Sequence, residues 1–387
     1  MLASCAAPTH RYLRGNQITE VGINAFHGLH SLEKLYINDN RLKHLSLLTF
    51  TPTPRLRLLD LAQNMIQMRK DQSFPVLNHV DWLDMSDNQL TRVTADLFKN
   101  LPNLTKVHLQ VNRIAWIDGS AYAHNPKLTE INLSRNRLSS VDEGLFRGLH
   151  SLRSLHLDDN EMIEELPVTL FHDLNSLKLL NLTQVRISNI NRYHFARNPN
   201  LTHLLFSRFK YCLYAPQVRI CQPSSDGVSS LQHLLVFPIL RISVWIVASI
   251  TCIGNAVVFT WRSLSGNEDA VLSLFVKNLS FADLLTGIYL IAIGLNDIGF
   301  QDQYLMHALD WMASWKCSAI GFLAMISAEV SVMILTIVAF ERYRSIAFNS
   351  RLLSIAHARI LMSTAWMLAA IIAAYPIVMS SRTGEVG

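Results

Sequence analysis

Apolar and polar positions repeat in a fixed block through the first half of the chain. The order Leu-x-x-Leu-x-Leu-x-x-Asn-x-Leu, with Val, Ile or Met allowed at the apolar places, fits residues 32–42, 56–66, 80–90, 104–114, 128–138 and 152–162. The asparagines Asn40, Asn64, Asn88, Asn112, Asn136 and Asn160 fall 24 residues apart, Asn16 extends the ladder backwards, and two degenerate copies carry Val185 and Phe209 there. A second marker keeps the same period: Phe26, Phe50, Phe74, Phe98, Tyr122, Phe146, Phe171 and Phe195. The apolar–variable–apolar centre of each block predicts one short strand, and the return of the block predicts strands stacked side by side. Beyond residue 235 the pattern changes to long apolar runs at 242–261, 278–295, 317–340 and 360–379. Each is long enough to cross a bilayer, and they predict helices at about 237–261, 272–295, 316–341 and 359–380.

One repeat cannot bury its own apolar face, so about nine must stack into a leucine-rich-repeat solenoid, an α/β horseshoe. The asparagine amide can satisfy backbone groups where the chain leaves the strand, and the phenylalanines form a spine behind the sheet. Such solenoids bind with the concave sheet, so the variable strand positions carry the information. The fifth position holds Tyr36, Asp60, Asp84, His108, Asn132, His156, Asn181 and Leu205; the seventh includes Ser86, Ser134 and Asp158; the third includes Trp82 and Glu130. Acids outnumber bases there, which points to a partner presenting Lys or Arg. Asp84, Glu130, Asp60, Asp158 and an exposed Trp82 are the expected ligand contacts.

Composition divides at the same place. The chain has 387 residues, 50% hydrophobic and 16% charged, with 34 Lys+Arg against 29 Asp+Glu. Residues 236–387 hold nine of each sign, so the whole +5 belongs to the repeats. So apolar a chain is not disordered. Its basic residues stand singly among acids, which excludes a phosphate-tracking nucleic-acid surface. No nucleophile–base spacing, metal-ligand cluster or phosphate loop points to an enzyme. Four buried core helices would imitate the second half, but their regular recurrence with short polar connections favours spans. Arg262 follows the first run and Arg342, Arg344, Arg351 and Arg359 follow the third, whereas the second connection holds Asp297, Asp302 and Asp310. Positive-inside orientation then puts the repeats outside the cell. The sequons at Asn103, Asn132, Asn181 and Asn200 suit that side, with Asn103 and Asn200 the expected glycosylation sites. Cys212 and Cys221, just past the last repeat, close the solenoid if they bond to each other; the alternative is that each pairs elsewhere, for instance with Cys5.

The spans carry a resemblance. Gly254-Asn255, Asn278-Leu-Ser-Phe-Ala-Asp283, Glu341-Arg342-Tyr343 and Trp366, in that order, resemble rhodopsin-type G-protein-coupled receptors. That likeness implies a sodium-binding cluster of Asn255, Asp283 and Ser331, a G-protein switch at Glu341, Arg342 and Tyr343, and a disulfide from Cys317 to the second extracellular loop. Within such receptors, Tyr211-Cys212-Leu-Tyr-Ala-Pro216-Gln-Val-Arg219-Ile-Cys221 resembles the hinge of the relaxin-family peptide receptors. In that family, acids at the fifth and seventh positions of one strand, and at the third and fifth two strands later, clasp two arginines of an insulin-like hormone. Asp84 and Glu130 match, whereas Ser86 and Asn132 depart, which favours a related peptide with fewer basic contacts.

The expected organisation is a repeat ectodomain at 1–211, a cysteine hinge at 212–235, and a partial seven-helix domain at 236–387. The start lacks a persuasive signal peptide and the family's calcium-binding module, and the end stops short of spans five to seven. A fragment or partial gene model is therefore expected. The implied function is a multi-pass plasma-membrane receptor with its repeats extracellular, for a relaxin/insulin-like peptide. Its partners would be that hormone, a heterotrimeric G protein and membrane lipid, with room for a homo-oligomer. No cofactor is expected apart from a sodium ion in the complete bundle. The alternative is a truncated four-span peptide-binding or adhesion protein that does not signal.

Overall fold

A computed structural model describes residues 8–69, 71–264, 269–348 and 353–383. Cys5 and Arg351 lie outside the described residues. The chain forms two compact units, Met1–Ser224 and Ser225–Gly387.

In the first unit each repeat contributes a strand of three residues. These are β1 (His10–Tyr12), β2 (Lys34–Tyr36), β3 (Leu58–Asp60), β4 (Trp82–Asp84), β6 (Lys106–His108), β8 (Glu130–Asn132), β9 (Ser154–His156), β10 (Leu179–Asn181) and β11 (His203–Leu205). A tenth strand, β12 (Ile220–Gln222), completes one parallel sheet, while β5 (Arg92–Val93) and β7 (Trp116–Ile117) pair separately. Pairing is in step, Asp84 with His108 and His108 with Asn132, so residues one repeat apart stand side by side. The central residue of each strand from β2 to β11, such as Leu83, Val107 or Ile131, is buried. Fully burying one such side chain contributes about 1.5–3 kcal/mol.

The turn after each strand explains the asparagines. The preceding residue (Asp39, Gln63, Asp87, Val111, Arg135, Asp159 or Gln184) is left-handed, with φ between 50° and 57°. This reverses the chain and aims the next side chain inward. Asn112 Nδ2 then donates to Leu109 O and to Met85 O of the previous repeat, both at 3.0 Å, while Oδ1 accepts from Leu90 N at 3.0 Å. The same set recurs at Asn64, Asn88 and Asn136, tying each turn to its neighbour. Behind the sheet the aromatic spine is buried, with ring centroids 5.8–6.4 Å apart in the stacked pairs. The connections there are turns and short 3-10 helices.

Strand β12 has no counterpart in the periodicity, because it lies past the last repeat. Its Cys221 is disulfide-bonded to Cys212 in the 3-10 segment Phe209–Tyr214, and both cysteines are buried. The bridge covers the last repeat's core.

The second unit holds α1 (Pro238–Leu264), α2 (Ala270–Gly299), α3 (Tyr304–Met312), α4 (Trp315–Phe348) and α5 (Ile355–Thr383). All but α3 are long and apolar enough to span a membrane, and their most apolar windows are only 6–22% buried within the chain. Helices that keep so much apolar surface exposed are solvated by lipid. The second helix outruns its predicted end at 295. Asn296 bonds back to Ala292 O, and Asp297 is buried against Arg241 and the Leu235 amide. These two polar residues therefore sit inside the last turns of α2 rather than in a loop. The short α3 was hidden in the same connection. Between α1 and α2, Gly287 faces Cys252 and Gly294 faces the Trp245 ring at distances no side chain would fit.

Candidate functional site

The open side of the sheet brings the two expected acids into one network. Asp84 ends β4, and its Oδ1 accepts from the Ser86 hydroxyl at 2.6 Å and the Ser86 amide at 2.9 Å. Its Oδ2 lies 3.4 Å from His108 Nδ1, while His108 Nε2 lies 3.2 Å from Glu130 Oε1. Lys106 Nζ completes the chain at 3.0 Å from Glu130 Oε2. His108 thus bridges Asp84 and Glu130, with an acid at each ring nitrogen. The period places Asp84, His108 and Asn132 in one column and Lys106 and Glu130 in the next, so the contact follows from the 24-residue spacing. His108 had stood in the variable column without a role; its place between two acids was the available signal.

Electrostatics follow from this geometry. Burial disfavours the ionised Asp84 carboxylate, but hydrogen bonds from His108 and Ser86 outweigh it and hold the pKa below its ordinary value. For Glu130, burial is likewise outweighed by Lys106 and His108. Burial also disfavours charge on His108, yet Asp84 and Glu130 together raise its pKa above the usual imidazole value. A neutral imidazole has one N–H and would turn a lone pair toward one carboxylate; the doubly protonated ring suits both.

The remaining expected contacts are placed differently. Trp82 is half-buried rather than exposed: its ring meets His108 edge-on at 6.0 Å, and its indole N–H is buried without a hydrogen-bond partner. Side-chain packing along the neighbouring strands covers it. Asp60 accepts from the Ala62 amide, and burial pushes its carboxyl up. Asp158 is also pushed up by burial, and its Oδ1 is enclosed with His156 Nδ1 3.8 Å away, beyond hydrogen-bond reach. Asn200 is exposed and Asn103 half-buried, their amides donating to Asn175 O and Asn78 O. Asn132 and Asn181 instead lie on the sheet face, accepting from Ser134 and Thr183.

In the helices, Ser331 Oγ donates to Asp283 Oδ1 at 2.8 Å, joining α4 to α2. Asn255 donates to Thr251 O of its own helix. Trp366 Nε1 donates to Asn278 Oδ1 at 3.0 Å, tying α5 to α2. At the end of α4, Arg342 Nε lies 3.6 Å from Glu341, and Tyr343 is exposed. Cys317 carries a free thiol.

Residues 12–66, 54–114, 102–162 and 152–208 match the leucine rich repeat family, and residues 231–386 match the 7 transmembrane receptor (rhodopsin family). The chain belongs to the leucine-rich-repeat family and carries a rhodopsin-family domain after its repeats. The chain is 47% identical to Relaxin receptor 2 of Canis lupus familiaris over 164 residues, 42% of its own length and 22% of the relative's. It is 44% identical to Relaxin receptor 1 of Rattus norvegicus over 154 residues, 40% of its chain and 20% of that relative's. The chain therefore aligns with about a fifth of the length of these curated relatives. Among solved structures, the glycosylated Toll–Spatzle complex aligns over 51% of this chain and 30% of that chain at 25% identity, with a TM-score of 0.44.

Proposed function

We propose that this receptor captures a cationic peptide hormone of the relaxin/insulin-like class on the open face of its repeats, at Asp84 and Glu130. The supporting observation is that both acids stand on one solvent-facing sheet, joined through His108, in a chain whose relatives are relaxin receptors. Trp82, Asp60 and Asp158 flank the pair as further contacts. The hormone signal then passes through the helical bundle to a G protein. Arg342, paired at rest with Glu341 and followed by Tyr343, is the switch, and Asp283 and Ser331, with Asn255, form the pocket for a sodium ion. The repeats, with glycans on Asn103 and Asn200, face outward from the plasma membrane.

The test is equilibrium binding of labelled synthetic relaxin to the full chain in lipid nanodiscs. Asp84→Ala and Glu130→Ala are each expected to weaken binding by about 1–3 kcal/mol, as lost charge-assisted contacts do. Unchanged affinity in both variants places the hormone elsewhere. The four-span reading without signalling is separated by cyclase activation in cells expressing residues 1–387: a hormone response there rules it out.

A further inference from the structure

Between the two acids stands a group that already does a ligand's work. His108 is reached from β4 by Asp84 and from β8 by Glu130, and shares its own strand with Lys106, which also holds Glu130. Asp60 on β3, one strand beyond Asp84, also feels the His108 charge. The Trp82 and His108 rings meet edge-on, centroids 6.0 Å apart. Both His108 and Asp84 are largely shielded, their side chains 17% and 15% exposed. A ligand ammonium or guanidinium cannot reach both carboxylates while a charged imidazole bridges them.

We propose that His108 is the specificity-determining residue of this face: as an imidazolium it fills the place between Asp84 and Glu130 that a ligand cation must take, so capture is coupled to loss of one proton from His108 to solvent. The inference rests on the reading that these acids receive the peptide's cation. Its charge balance is simple. With His108 and Lys106 both charged, the four groups sum to zero and offer a cation little. With His108 neutral, the set carries one net negative charge, and the acid facing the bare ring nitrogen has an acceptor to spare. The face therefore discriminates in favour of peptides whose cation is strong enough to displace a proton, and it releases them in acid.

The sign follows by linkage. Protons compete with the ligand below the titration point of ligand-free His108, so affinity falls as pH falls. At its steepest the loss is about tenfold per pH unit for one proton released. Asp84 and Glu130 do not cause this between about pH 5.5 and 8, because both titrate below the ordinary carboxylate range; Asp60, which burial pushes up, is left in place in His108→Gln, so a level profile in that variant assigns the effect to His108.

The experiment measures binding of labelled synthetic relaxin to the full chain across that interval, for the native protein, His108→Gln, and the control His156→Gln. The native chain and His156→Gln are expected to weaken about tenfold or more toward the acid end, whereas His108→Gln holds affinity nearly level. A second measurement needs no ligand: deuterium exchange at the His108 ring carbon, read by mass spectrometry, reports its titration. That titration should move down in Glu130→Gln. Level binding in the native chain, or an unmoved titration, overturns the proposal. If Asp84→Ala and Glu130→Ala bind as the native chain does at alkaline pH, the capture site itself is wrong. If those variants weaken binding while the pH profile stays flat, only the role of His108 fails.

Discussion

Removing one rung of the asparagine ladder should damage the solenoid far more than its size suggests. In Asn112→Ala the Leu90 amide, bonded at 3.0 Å to Asn112 Oδ1, loses its partner inside a buried turn. The three carbonyls that accepted from Asn112 fare better. Met85 O keeps Asn88, Leu109 O keeps Asn136 and Gln110 O keeps the Asp87 amide. One orphaned buried N–H costs about 1–3 kcal/mol, and the two amide protons lost contribute about 1 kcal/mol each. The total is therefore about 3–5 kcal/mol, a large share of a typical domain's 5–15 kcal/mol. Asn16→Ala is the control: its amide caps only exposed carbonyls at the solenoid's edge, and the expected cost is under about 1 kcal/mol. The assay is urea titration of the full chain in detergent, with unfolding of each repeat followed by pulsed amide deuterium exchange. Peptides spanning residues 85–114 should lose protection first. A loss below about 1 kcal/mol in Asn112→Ala refutes the claim that these amides bind repeat to repeat.

Three other substitutions probe packing. Tyr122 fills a place that phenylalanine takes in seven other repeats, and its buried hydroxyl has no partner, so Tyr122→Phe should stabilise the repeats by about 1 kcal/mol in the same titration. Val111 is a β-branched residue at φ 55°, so Val111→Asn, which keeps the amide bond to Ser134 O, should also stabilise, by about 1 kcal/mol. Gly287→Ala drives a methyl into Cys252 and should cost about 1–3 kcal/mol, seen as earlier thiol labelling on heating, whereas Gly254→Ala meets open space and should not.

Much of this architecture was legible because a repeat states its rule many times. Eight aromatic rings and six asparagines at one repeat spacing identify strand, turn and spine without any long-range information. The four spans are equally plain, since apolar runs this long with at most one charge each have few alternatives in water. What stayed hidden depends on side-chain direction or on unrepeated contacts. Strand β12 and the α3 helix occur once each and have no periodicity. The Asp297–Arg241 pair needed two helix ends brought together, and from sequence Asp297 reads as an ordinary loop charge. Trp82 looked exposed because its column points to solvent, but a large ring lies down on its neighbours, here His108. The acids are legible, but their internal cations are not: His108 stands in its column as one variable residue among others, and the pairing of Lys106 and His108 with Glu130 depends on side-chain direction across the strands.

The central claim is that Asp84 and Glu130 receive a cation from the hormone. A double-mutant cycle tests it most directly: each acid is changed to alanine in the full chain, each helix arginine to alanine in synthetic relaxin, and affinities are measured for all combinations at about pH 8, where a normal histidine is neutral. A coupling of about 1 kcal/mol or more between one acid and one arginine is the result expected for a direct charge pair. Strictly additive effects for every combination would contradict it.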